Sequence, residues 1–487
     1  MNVLLINPPA LHTIPEFPDD RGKSYLETED FGCFPPLGLL YVLAYAEKHA
    51  PGHCFSFIDC IAEHISYESL ETRIKEIKPD LVGITSFTIA LIDVCKTAEI
   101  VRTVSPQTHI CMGGHHPIAF PLEAAQLNQF DSVIVGEGEV PFAQLIHALS
   151  THKPVEPIVG LYTAQSIQVW RDTSSGDKRF LPSVVVPPSY VDDLDTLPFP
   201  ARSYIKHINY QSIVGVSNKL ATIITSRGCP YQCTFCDVPY KRYRSRSIAG
   251  VLDEVEACLA LGYKEFHFYD DLFNITPEKV IEFCDGIKQR GLQFPWNFRG
   301  RINTATFESL KMAKETGCRL ISFGVETGTD EGLKTLRKGI TLSRIKEVFR
   351  WCRQLHIKTL ADFMIGLPDE TSIKDVENNF DFLISLNPDY AQIAIMCIYP
   401  NTVIHQQAVE KGLIDPDKWI NFARHPYPAF TIDHWEEHLK TGQLVEMQKK
   451  GYKKYYLRPG YILQSILNTG SIYEFAAKVK GLIKLVM

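Results

Sequence analysis

The sequence predicts an α/β protein with two parallel-sheet domains: a doubly wound domain, then a partial (β/α)6 barrel followed by a helical tail. Three observations lead there. Short apolar runs alternate with amphipathic stretches five times before residue 150, the alternation resumes near residue 220 in six further units, and a proline-dense segment lies between. Short apolar strands separated by helices that are apolar at positions three and four apart build parallel sheets covered on both faces. A chain of 487 residues, 45% apolar and 22% charged, is long enough for two such cores and ordinary in composition.

The first domain, 1–150, has strands expected at NVLLINPP (2–9), CFSFIDC (54–60), DLVGITSF (80–87), THICMGG (108–114) and SVIVGEGE (132–139). Helical patterns lie between them at 38–50, 66–79 and 91–106. Residues 151–205 read as a linker with a hairpin at GLYTAQSIQVW (160–170), because proline density rises and periodicity fades. The second domain, 206–440, has strands expected at 221–226, 265–271, 295–303, 319–327, 359–367 and 390–398, with helices at 251–262, 277–291 and 372–387 among those following them. Six βα units fall short of the eight that close a full barrel, so an open barrel is expected. Residues 441–487 form the helical tail.

A net charge of −6 argues against a nucleic-acid binder. No apolar run approaches the ~20 residues of a membrane span. The N-terminus starts on a strand pattern without a basic leader, so the cytoplasm is the expected compartment. Of thirteen cysteines, ten are scattered through apolar patterns as small buried hydrophobes, which suits a reducing compartment.

The other three, Cys229, Cys233 and Cys236, lie in RGCPYQCTFCDVP directly after the first strand of the second domain. Ligands of α/β folds gather at the carboxyl ends of parallel strands. A structural zinc ion takes four ligands, and between 208 and 257 no Cys or His accompanies these three. A 4Fe–4S cluster held by three thiolates keeps one iron open for a substrate or cofactor. Zinc and inert thiols stand as the alternatives.

The spacing Cys-x3-Cys-x2-Cys, with Phe235 before the third cysteine, resembles the signature of the radical S-adenosylmethionine (radical SAM) enzymes. The resemblance implies that the open iron binds S-adenosylmethionine, and that an electron from the cluster cleaves it to a 5′-deoxyadenosyl radical that abstracts hydrogen from a small-molecule substrate. It also implies a low-potential electron donor such as a flavodoxin or ferredoxin. Contacts to S-adenosylmethionine are then expected at strand ends. Asp270 and Asp271 end the second strand, although paired acids there also serve as helix caps. Arg299 and Arg301 share one face of the third. Glu326 lies in GVETG, and Ile365 and Gly366 in MIGLPDET resemble the adenine-contact strand of that family. YPNT near 400 resembles a Tyr-Pro-Gly-Thr turn with Asn401 replacing glycine, a substitution a left-handed turn tolerates.

The first domain resembles the Rossmann-like cobalamin-binding domain of cobalamin-dependent radical SAM enzymes, most closely at FPPLGLLYVLAYAEK, GGHHP and VGEGEVPF. With the barrel, the resemblance covers about residues 1–415. It implies cobalamin contacts at Pro8, Pro9, Thr85, Ser86, Thr88, Gly113, Gly114, His115, Gly136, Glu137 and Gly138. The Asp-x-His-x-x-Gly sequence that supplies a cobalt-binding imidazole in many cobalamin proteins is absent, and Asn7-Pro8-Pro9 follows the first strand instead. The expected cobalamin therefore lacks that ligand unless His12, His115 or His116 replaces it. The glycine fingerprint of a dinucleotide site is also missing from the first strand.

The family implies radical methylation of an unactivated carbon, with the methyl group coming from methylcobalamin. A second reading keeps both cofactors and uses the radical for cyclisation or for ring and carbon-skeleton rearrangement. A third, from another class, is a non-catalytic iron–sulfur electron-transfer or scaffold protein; such a carrier normally closes all four cluster sites with protein ligands. Finally, residues 448–487 carry eight Lys or Arg against one acid, Glu474, beside apolar positions at helical spacing. That pattern suits either a helix packed on the barrel with a basic edge or an interfacial helix on anionic lipid, the latter hinting at peripheral membrane association and an apolar or lipid substrate.

Overall fold

The computed structural model describes residues 1–14, 32–155, 157–166, 188–212 and 214–467. The chain divides into two compact units: Met1–Pro15, Phe34–Asn209 and Pro416–Thr431 form the first, and Glu16–Cys33, Tyr210–Asp415 and Ile432–Met487 the second.

The first unit is built on β1 (Asn2–Asn7), α1 (Leu37–His49), β2 (Cys54–Asp59), α2 (Tyr67–Ile77), β3 (Leu81–Ser86), α3 (Leu91–Val104), β4 (His109–Gly114), β5 (Ser132–Ile134), α4 (Glu139–Ser150) and β6 (Leu161–Tyr162). The strands lie in the order β2-β1-β3-β4-β5-β6, parallel except for the last. Val3, Leu5, Leu81, Cys111 and Ile134 are buried against Leu39, Leu43, Phe142 and Leu145 of the flanking helices. In this order the chain reverses between β1 and β3, and the crevice outside their carboxyl ends is where such sheets take ligands.

Two expectations change here. The proposed hairpin reduces to β6, which pairs antiparallel with β5 and edges the main sheet; Ala164–Ser166 is helical, and 167–170 lie outside the described residues. The expected linker folds onto this unit: the Ala201 N–H donates to the Leu40 carbonyl at 3.1 Å and the Tyr204 hydroxyl to Glu47 at 2.6 Å. A short helix, Lys418–Arg424, also belongs here, with Arg424 reaching Glu123 at 3.2 Å. Neither Ala201 nor Arg424 is near its partner in sequence, so periodicity carries no trace of these contacts.

The second unit runs β7 (Leu220–Ile223), α5 (Ile248–Ala260), β8 (Glu265–Phe268), α6 (Pro277–Gln289), β9 (Trp296–Gly300), α7 (Phe307–Glu315), β10 (Cys318–Glu326), α8 (Leu342–Gln354), β11 (Lys358–Ile365), α9 (Ile373–Leu386), β12 (Tyr390–Ile395) and α10 (Thr441–Tyr456). Its six strands are parallel and stand in sequence order, the open partial barrel expected. One core gathers Phe266, Phe268, Phe283, Trp296, Ile321, Phe323, Phe363 and Ile393 between strands and helices. Helices α5 to α9 each start behind a hydroxyl cap, Ser247, Thr276, Thr306, Thr341 and Ser372, which accepts a first-turn N–H. Each cap satisfies an orphan donor and fixes where the preceding loop ends.

The tail helix α10 lies along β12. The Tyr452 hydroxyl accepts from the Ile393 N–H at 3.0 Å, and the Tyr456 hydroxyl accepts from the Ala391 N–H at 2.8 Å while donating to the Ala391 carbonyl at 2.8 Å. Gln448 donates to the Ile393 carbonyl at 2.8 Å. These groups complete the hydrogen bonding of the strand that an open barrel leaves at its edge. The basic residues beside them have barrel partners: Lys450 meets Glu377 at 2.6 Å, Lys454 meets Asp381 at 2.5 Å, and Arg458 donates to Asn387 at 3.1 Å. Residues 468–487, with Lys478, Lys480 and Lys484, lie outside the described residues.

Candidate functional site

The three-cysteine loop is closed at its base. Ser226 and Arg227 pair antiparallel with Ser245 and Arg244, so the intervening chain leaves and returns at one point beyond β7. Gly228 has φ +88°, and a Cβ there would lie 2.5 Å from the Arg242 carbonyl, so only glycine fits the turn into Cys229. The Cys229 N–H donates to the Tyr240 carbonyl at 2.9 Å, and the Thr234 N–H donates to the Leu336 carbonyl at 3.2 Å. All three cysteines are free and partly exposed. Burial pushes the thiols of Cys229 and Cys236 up, so any metal they bind must displace their protons. Among the described residues no three His, Cys, Asp or Glu side chains converge as a single-ion site requires. Three free thiols on one short loop can hold three corners of a cubane and leave its fourth iron open.

Asp270 is not left for a ligand. Its carboxylate is buried, accepting from the Thr225 N–H at 2.7 Å, the Ser226 N–H at 2.6 Å and the Thr225 hydroxyl at 2.8 Å. It anchors the chain entering the cysteine loop. Burial holds its carboxyl above the usual range, offset by Lys279 and these donors. Replacing Asp270 with Asn leaves one oxygen for the two N–H groups and turns an amide donor toward the Thr225 hydroxyl, and it removes the charge opposite Lys279. Unfolding free energy should fall by about 1–3 kcal/mol in denaturant titration, and iron uptake should fall with it. Asp271 is exposed and, among the described residues, accepts the Gly228 N–H at 3.1 Å.

Ile365 and Gly366 also differ from expectation. Ile365 is fully buried in the core, and its carbonyl accepts from Met396 at 2.9 Å. Gly366 has φ +79°, and a Cβ there would meet the Leu444 methyl of α10 at 2.8 Å, so this glycine admits the tail helix. Behind it, Glu370 accepts the Gly366 and Leu367 N–H groups at 2.5 and 3.0 Å and the Asn379 amide at 2.5 Å. Asn379 in turn accepts from Gly328 at 2.7 Å, linking the ends of β10 and β11. Burial pushes Glu370 up to about 7.

Glu326 takes φ +66° at a bulge between β10 and β11, a costly geometry for a residue with a Cβ. Its buried carboxylate pairs with Lys338 at 2.8 Å, and the Lys338 ammonium lies 5.9 Å from the Phe235 ring centre. Phe235 packs beside Leu336, Leu367 and Met396. Arg299 is exposed, 5.0 Å above Tyr269. Next to Arg299 in charge, Asp362 accepts the Ser322 hydroxyl at 2.7 Å, and burial pushes its carboxyl up to about 6. Lys338, Asp362 and Glu370 escaped the sequence reading, and only the glycine after Lys338 and the acid following MIGLPD signalled these positions.

In the first unit, Pro8 and Pro9 are buried at the end of β1, and Thr85, Ser86, Gly113 and Gly114 end the paired strands β3 and β4. Two hydroxyls expected to face a ligand turn inward: Ser86 donates to the Gly113 carbonyl at 2.7 Å, and Thr88 meets His116 Nδ1 at 3.1 Å. Gly113 has open space where a Cβ would project, a cradle compatible with a bulky flat group. His115 lies 6.1 Å from Phe87, ring over ring. His116 is fully buried with no partner at Nε2 among the described residues, and burial drives it down to about 3. Gly136, Glu137 and Gly138 engage their own chain. Gly136 lies against Ser189, the Glu137 carboxylate accepts from Val191 at 2.6 Å, and Gly138 starts α4 close to Val42.

A ligand crevice on a doubly wound sheet and a three-thiolate loop on a parallel partial barrel define an enzyme class that pairs an iron–sulfur cluster with a second large cofactor. Residues 223–383 match the Radical SAM superfamily, and residues 28–146 match the B12 binding domain. An uncharacterized methyltransferase of Pyrococcus horikoshii is 29% identical, covering 99% of this chain and 98% of its own. The anaerobic magnesium-protoporphyrin IX monomethyl ester cyclase of Cereibacter sphaeroides is 27% identical over 88% of this chain and 68% of its own. The cobalamin-dependent S-adenosylmethionine radical enzyme OxsB, solved with aqua-cobalamin and S-adenosylmethionine bound, shares the fold with a TM-score of 0.70 at 17% identity, over 99% of this chain and 71% of its own. The chain belongs to the cobalamin-dependent radical SAM enzymes. Its cofactors are a 4Fe–4S cluster, S-adenosylmethionine and cobalamin.

Proposed function

We propose that the protein methylates an unactivated carbon of a small molecule. The observation that carries this reading is the loop with three cysteines and no fourth, on a barrel preceded by a cobalamin-type sheet. End-to-end similarity to a methyltransferase supports it. Cys229, Cys233 and Cys236 would hold the cluster, Glu326, Lys338 and Arg299 would bind S-adenosylmethionine, and Thr85 and Gly113 would border cobalamin. When bound, these groups supply a radical that opens a C–H bond and a methyl donor that closes it. The residues themselves bind, orient and exclude water. The buried Glu326–Lys338 pair offers one carboxylate and one cation, which match the ammonium and carboxylate of a methionyl group. A flavodoxin- or ferredoxin-type donor would supply the electron.

The similarity to a cyclase favours a second reading, ring closure with the same cofactors. Product mass separates the two. Anaerobically reconstituted protein with methyl-deuterated S-adenosylmethionine should give a product heavier by one labelled methyl group in place of hydrogen. A product that has lost hydrogen, with no label, would establish cyclisation instead.

Among the described residues, no helix is long and apolar enough to cross a membrane. The described part of the tail covers the barrel edge. Three of the tail's basic residues, Lys450, Lys454 and Arg458, are taken up by barrel partners, which weakens a lipid-facing role. The sheet register places Asp362 beside Gln392, and with Ser322 bonded to Asp362 this face suits a substrate carrying polar groups.

A further inference from the structure

We infer that Arg301 tunes the electron affinity of the cluster site through a hydrogen bond to the Cys233 sulfur. The inference rests on the reading of the three-cysteine loop as that site. Arg301 stands one residue past β9, and its backbone is clamped: its N–H donates to Asn274 Oδ1 at 2.7 Å, and its carbonyl accepts from Asn274 Nδ2 at 2.9 Å. Three contacts then fix the side chain. Nη1 donates to Cys233 Sγ at 3.7 Å, Nη2 donates to the Lys338 carbonyl, and the guanidinium stacks on Tyr231 with its central carbon 3.7 Å from the ring centre.

Arg301 is 8% exposed, yet among the described residues no carboxylate lies within ion-pair distance of its guanidinium, and its Nε has no hydrogen-bond partner. A buried cation without an anion is costly, so the site is built for negative charge that the protein's carboxylates do not provide. Metal-bound thiolates beside Cys233 would provide it. A donor to a ligand sulfur, together with a nearby positive charge, stabilises the more negative state that one added electron creates. That electron comes from the external low-potential donor, and no proton need move. Tyr231 covers the guanidinium and keeps water from weakening the interaction. Lysine cannot reproduce the arrangement, because it lacks the planar fork that reaches the sulfur and the carbonyl together while stacked on a ring.

The test is an EPR-monitored redox titration of the reconstituted native protein and its Arg301→Gln and Arg301→Lys variants. Arg301→Gln should make cluster reduction roughly tenfold less favourable, equivalent to about 59 mV for one electron. Arg301→Lys should fall between Gln and native. Equal potentials in all three overturn the inference. If the variants fail to assemble a cluster, native protein labelled with 15N-arginine decides: pulsed EPR of the reduced cluster should show a 15N coupling, and its absence overturns the inference. A native protein that binds no iron would overturn the cluster assignment itself.

Discussion

Replacing Cys229, Cys233 and Cys236 together with alanine abolishes 5′-deoxyadenosine formation and lowers iron from about four per chain to near zero. Each single replacement is expected to do nearly the same, because a cubane held at two corners has lost its seat on the protein. Cys258→Ala serves as the control. That thiol is buried in the barrel core, so the variant should lose some stability and keep both iron and cleavage. The measurements are metal analysis and chromatographic detection of the nucleoside after anaerobic incubation. A triple variant that still makes 5′-deoxyadenosine removes the loop from the chemistry.

Ending the chain after Lys440 should unfold or aggregate the barrel. The truncation strips Leu444, Met447, Tyr452 and Tyr455 from the core. At about 1.5–3 kcal/mol for each buried side chain, the loss is about 6–12 kcal/mol, comparable to the whole stability of a typical domain. It also leaves the β12 edge unpaired and able to template association. A milder variant isolates the edge bonds. Tyr452→Phe with Tyr456→Phe keeps the rings and strands the Ile393 and Ala391 N–H groups, for about 1–3 kcal/mol each. Light scattering and thermal melts read both results. A shortened chain that stays monodisperse with an unchanged melting temperature would show that the barrel does not need its cover.

The strands and their order were legible in the sequence because each apolar run is short, bounded by glycine, proline or a hydroxyl cap, and followed by an amphipathic helix. The cysteine loop was legible because three ligands in eight residues is a local pattern. What escaped depends on residues far apart. Asp270 looks like a free acid at a strand end until Thr225 and Ser226, over forty residues earlier, are brought against it. Gly366 looks like room for an adenine until Leu444 fills that room. Glu137 looks like part of a ligand loop until the Val191 N–H reaches it. A sequence pattern marks where a strand ends, and the partner that takes up the polar groups there is a tertiary matter. Basic residues 450, 454 and 458 likewise read as a lipid-facing stripe because their acidic or amide partners lie about seventy residues upstream.

The first unit draws on residues 416–431, and the second on 441–456. On a ribosome, which delivers the chain from its N-terminus at roughly 5–20 residues per second, neither unit has all these parts until residues 431 and 456 have been made. The six barrel strands emerge well before the helix that covers their edge. For some seconds the nascent chain carries an unsealed sheet together with three free thiols, a state in which chaperones would find a ready client. The cysteine loop itself completes its packing late, because Thr234 accepts the Ile404 N–H at 2.9 Å, from a segment made some 170 residues after it.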